Sequence, residues 1–70
     1  MKDKIITLIE SVLETNINHN SSMENTDKWD SLNHVKLVLE LQNEFNCKVP
    51  YDKILELNNV KSIVDFLDNI

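Results

Sequence analysis

The 70-residue chain predicts an all-α fold, a small four-helix bundle with a long loop between its first two helices and a short third helix. Three observations lead there. Apolar residues recur at helical spacing in separate stretches, and no stretch sustains the alternation of a strand. The chain also holds no glycine, while Asn16, Asn46 and Asn58 stand where helices should end. Asn is the second choice after Gly for the left-handed residue that closes a helix.

The elements follow in order. Ile5, Ile6, Leu8, Ile9, Val12 and Leu13 recur between Lys and Glu and predict a helix over about residues 2–15. "NINHNSSMENTDKWD" then reads as a loop rich in Asn, Ser and Asp, relieved only by Ile17, Met23 and Trp29. A loop of that length in so small a chain is unusual and often functional. Ser31 to Phe45 forms the second helix. Pro50 restarts the chain, "YDKILEL" reads as a short third helix, and "NNVKSIVDFLDNI" supplies an Asn cap and a fourth helix. Residues 1–70 are expected to make one domain.

Composition narrows the functional classes. Seven lysines, no arginine and twelve acids leave a net charge of −5, which argues against nucleic acid and suits basic surfaces on protein partners. One cysteine, Cys47, allows neither an internal disulfide nor a multi-cysteine metal site, and His19 and His34 make a poor metal pair. No metal is expected. With no span-length apolar run and no signal-peptide pattern, the expected setting is reducing and cytoplasmic.

Winding residues 31–45 at about 100° per residue separates two apolar groups. Leu37, Val38, Leu41 and Phe45, joined by His34, supply the core stripe. Leu32, Val35 and Leu39 remain on another side, bordered by Lys36, Gln42 and Asn43. That leftover face either packs on the loop or the third helix, or serves as a docking surface. It begins one residue after Ser31. Asp30 or Ser31 can cap the helix, and a phosphate on the Ser31 oxygen would meet free N–H groups and a favourable dipole. Nucleophilic hydrolysis by Ser31 is not expected, because it needs an oriented base and an oxyanion hole, and so short a chain cannot enclose a substrate.

"DSLNHVKLVLELQNEF", followed by "VP" and then "NNVKSIVDFL", resembles the acyl carrier protein family over nearly the whole chain. The resemblance implies that Ser31 bears 4′-phosphopantetheine, donated from coenzyme A by a phosphopantetheinyl transferase. It implies that acyl intermediates ride as thioesters on that arm, without catalysis by the carrier itself. Asp30, Leu32, Val35, Lys36, Leu39 and Leu55 fall where the family meets partner enzymes, both the transferase and those that activate and transfer acyl groups. Val38, Leu41, Phe45 and Ile54 fall around its cargo cavity.

The chain departs from the fatty acid members in several places. Lys36, Gln42 and Asn43 replace common acids, Trp29 stands where a small residue is usual, and Leu55 replaces a commonly charged residue. Trp29 either shapes the approach of enzymes to Ser31 or pins the loop to the core. Ile54, at an often small position, is expected to narrow the cavity in favour of short or polar cargo. These departures suggest a carrier in a specialised biosynthetic pathway, and a monomer is the default expectation. An aminoacyl or peptidyl carrier is the nearest alternative, and a helical interaction module without cofactor is an alternative of another class.

Overall fold

The computed structural model describes residues 2–69, so Met1 and Ile70 of the expected domain lie outside the described residues. Four helices follow one another: α1 (Lys2–Leu13), α2 (Ser31–Phe45), α3 (Tyr51–Ile54) and α4 (Val60–Asp68). The described residues contain no strand, only an isolated antiparallel bridge between Ser22 and Asn59. The all-α expectation holds.

One apolar cluster joins the helices. Ile5, Ile9 and Leu13 of α1 meet Leu37, Val38 and Leu41 of α2 and Val60, Ile63 and Leu67 of α4. The closest helix-to-helix approaches are those of α1 with α2 and with α4. Each buried set keeps the i, i+3 or i, i+4 spacing of one helix face, which is why three amphipathic segments close on one another. Every buried side-chain N or O atom among the described residues has a hydrogen-bond partner.

Helix ends show where local reading succeeds and fails. Asn46 closes α2 in the left-handed conformation (φ 49°, ψ 48°), its N–H bonded to the carbonyl of Gln42, as expected. At α1 the left-handed residue is Glu14 (φ 55°), so the helix ends at Leu13, short of residue 15. Glu14 has no glycine-like freedom, and the tertiary structure holds it there. Turning early buries Ile17, whose N–H donates to Glu10 Oε2 at 3.0 Å. Asn16 and Asn58 do not take left-handed conformations. Asn58 instead uses its carbonyl to accept the Met23 N–H.

The third helix is also shorter than "YDKILEL". It ends at Ile54 and continues only as turns, in which the Glu56 and Leu57 N–H groups bond back to the carbonyl of Lys53. No residue of α3 is buried, so nothing in its own packing extends it. Asn59 caps α4, its side chain accepting from the Ser62 N–H at 2.7 Å.

The loop before α2 is pinned. Asn and Ser side chains close its turns: Asn18 N–H donates to Ser21 Oγ, and Ser22 N–H to Asn25 Oδ1. The Met23 N–H and the Ser21 carbonyl bond to Asn58 and Val60, fastening the loop to the start of α4. Trp29 then enters the core, fully buried. Of its two expected roles, this is the pinning one. The ring itself is not presented to an approaching enzyme.

Candidate functional site

Ser31 is the first residue of α2 and is exposed. Asp30 is the cap: its backbone is extended (φ −95°, ψ −179°) and its Oδ1 accepts from the Asn33 N–H at 2.8 Å. That settles which of the two caps the helix, and it frees the Ser31 hydroxyl from the capping role. Asn33 braces the same corner by donating from Nδ2 to the Lys28 carbonyl at 2.7 Å. The serine therefore stands on a fixed corner, at a helix end whose first N–H groups and dipole favour negative charge.

Beside it runs the unburied face. Leu32 is 68% exposed, Val35 and Leu39 are more than half exposed, and Lys36 stands exposed among them. Neither the loop nor α3 covers them, which removes the packing explanation for this face. Leu55, immediately after α3, is 79% exposed. Tyr51, at the head of α3, is 91% exposed and went unnoticed in the sequence, where a Tyr after Pro looked like part of a helix start.

The four residues expected to border a cargo cavity divide. Val38 and Leu41 are buried in the core, whereas Phe45 and Ile54 are half-buried and pack against it. Lys4 Nζ lies 5.5 Å above the Phe45 ring and makes an ion pair with Glu44 at 3.2 Å, so α1 covers that end of α2. A depression of about 470 Å³ is lined by polar loop residues such as Asn16, Asn18 and Asn25 and by none of these four.

His34 is buried, as its helical position implied, and it is not idle. Trp29 Nε1–H donates to its Nδ1 at 3.0 Å, and its Nε2 lies 2.6 Å from the carbonyl of Ile54. The two rings are tilted by 35° with centroids 6.1 Å apart. With both nitrogens engaged, the His34 imidazole is not free to act on Ser31. Among the described residues no group of His, Cys, Asp and Glu is arranged to hold a metal ion.

Ser31 thus stands exposed at a helix head, with an uncovered apolar face of the same helix behind it. Residues 3–67 match the family described as "Phosphopantetheine attachment site". The chain is 30% identical to the acyl carrier protein of Chlorobium phaeovibrioides over 70 aligned positions, covering 96% of this chain and 90% of that protein. The acyl carrier proteins of Chlorobium phaeobacteroides and Chlorobium luteolum are each 29% identical over the same shares.

The chain belongs to the phosphopantetheine attachment family. Its cofactor is covalently attached 4′-phosphopantetheine, and the family is one of carriers. The site fits such a group. The Ser31 hydroxyl is exposed, and the neighbouring carboxylate of Asp30 is turned back onto the Asn33 N–H.

Proposed function

We propose that residues 1–70 form one carrier domain in which Ser31 is the attachment residue, and that the chain carries acyl groups to partner enzymes without catalysing their chemistry. The carrying observation is the exposed Ser31 at the head of α2, beside an apolar face that nothing in the fold covers. When bound, the cofactor supplies a flexible arm ending in a thiol that holds cargo as a thioester. The chain's own part is recognition. Asp30 fixes the corner that the transferase must read, while Leu32, Val35, Leu39 and Leu55 give transferase and acyl-handling enzymes an apolar footing. Tethering keeps cargo at high effective concentration near each enzyme.

Two features support a specialised pathway in the cytoplasm over general fatty acid synthesis. Exposed Lys36 interrupts the acidic charge of α2, which weakens steering toward strongly basic partners. Ile54 is packed against the core, as are Val38 and Leu41, leaving the bundle suited to short or polar cargo that stays on the arm. A long acyl form should then gain less thermal stability than a short one.

The deciding experiment is an intact mass after incubation with coenzyme A and a broad-specificity phosphopantetheinyl transferase, with Ser31→Ala alongside. A gain of one phosphopantetheine in the parent alone supports the reading, and a folded parent that gains nothing overturns it. Loading the product with enzymes that activate carboxylic acids or amino acids then fixes the cargo class.

A further inference from the structure

We infer that His34 is a positioning residue: through one neutral imidazole it locks α3 to α2 and to the indole of Trp29, two residues before Ser31, and so sets the surface that partners meet. The inference rests on the docking role proposed for that surface.

α3 cannot place itself. It is four residues long, buries no side chain, and begins at Pro50 with no side-chain cap. Isolated helices of that length are not stable in water. Beside the half-buried Ile54 and the buried Val49 and Leu57 that flank it, two hydrogen bonds from α2 hold the segment. One is the Val49 N–H to Gln42 Oε1 at 2.8 Å, just before α3. The other joins the His34 ring to the Ile54 carbonyl, at the end of α3. The second bond is flanked on both strands of chain by exposed apolar residues, since His34 precedes Val35 and Ile54 precedes Leu55. The bond therefore fixes how the apolar face of α2 continues onto α3.

The partners dictate the form of the ring. An indole N–H can only donate, so Nδ1 must accept from Trp29 and carry no proton. The proton is then on Nε2, which donates to the Ile54 carbonyl, a group that can only accept. A charged imidazolium would present an N–H from Nδ1 to the Trp29 N–H, two donors face to face. Trp29 is two residues from Ser31, so the same ring ties the attachment corner, α2 and α3 together.

The test compares the full chain with His34→Gln, His34→Leu and Trp29→Phe. Gln offers one acceptor and one donor in place of the ring, Leu keeps apolar volume but neither bond, and Phe frees Nδ1. The readouts are the backbone amide signals of residues 51–57 and the KM for phosphopantetheine transfer. His34→Gln should keep parent-like signals and KM, while His34→Leu should show displaced signals and a KM raised on the order of fivefold. Trp29→Phe should keep α3 in place, because the bond to the Ile54 carbonyl remains.

Superposable α3 signals in the parent and His34→Leu would overturn the inference, as would a His34→Gln whose α3 signals are displaced as far as those of His34→Leu. A KM that ignores displaced α3 signals would overturn the link to docking. Failure of the parent to accept phosphopantetheine at all, with α3 still following His34, would sink the carrier reading and support the positioning.

Discussion

Leu37 and Leu39 stand two residues apart on α2, yet one is fully buried and the other leaves 55% of its surface in solvent. The same contrast separates Val38 from Val35. Hydropathy alone cannot tell these pairs apart; their angular position on the helix does. Leu37, Val38 and Leu41 hold α2 against α1 and α4, while Leu32, Val35 and Leu39 lie outside the core and leave more than half of their surface in solvent, on the face that runs back from Ser31. A single 15-residue helix thus keeps its core side chains and the exposed side chains proposed for docking on separate faces. Changes on one face should leave the properties of the other untouched.

The sharpest way to test that separation is Ser31→Ala. Phosphopantetheine transfer should vanish by mass spectrometry, while the urea midpoint stays within error of the parent, because the exposed hydroxyl holds nothing. On the buried face, Leu37→Ala should lower stability by about 2–5 kcal/mol in urea unfolding, the usual cost of a cavity in a packed core. In a chain this small, that is a large part of the total.

Leu39→Ala should invert the pattern. The transferase KM should rise several-fold, on the order of five- to tenfold, with stability changed by less than about 0.5 kcal/mol. A comparable loss of stability would show that the exposed face also serves the fold. Asp30→Ala probes the junction of the two faces and should cost about 1 kcal/mol through the lost cap on Asn33. The smallest effect belongs to Glu44→Gln, which removes the exposed ion pair with Lys4 and should cost less than about 0.5 kcal/mol.

Much of this division was legible in residue order. The bounds of α2 could be read because Asp30 and Asn46 are residue types that cap helices by their own chemistry. The two faces followed from side-chain angles alone. The end of α1 was not legible, because a Glu in the left-handed region carries no local signal and is imposed by the burial of Ile17. The length of α3 was overread because "ILEL" is largely apolar, although Leu55 is exposed, Ile54 is only half-buried and Leu57 alone of the three is buried. The His34 link to α3 was hidden for a different reason. It spans 20 residues and ends on a backbone carbonyl, which has no residue type to notice.

Trp29 gives the molecule an optical consequence. It is the only tryptophan in the chain, so all indole emission comes from one buried ring two residues from Ser31. That ring is hydrogen-bonded to an imidazole, so its emission should respond to whatever disturbs the corner. Arm attachment, partner docking and unfolding can each be followed by intrinsic fluorescence, with no label placed on a surface that partners must read.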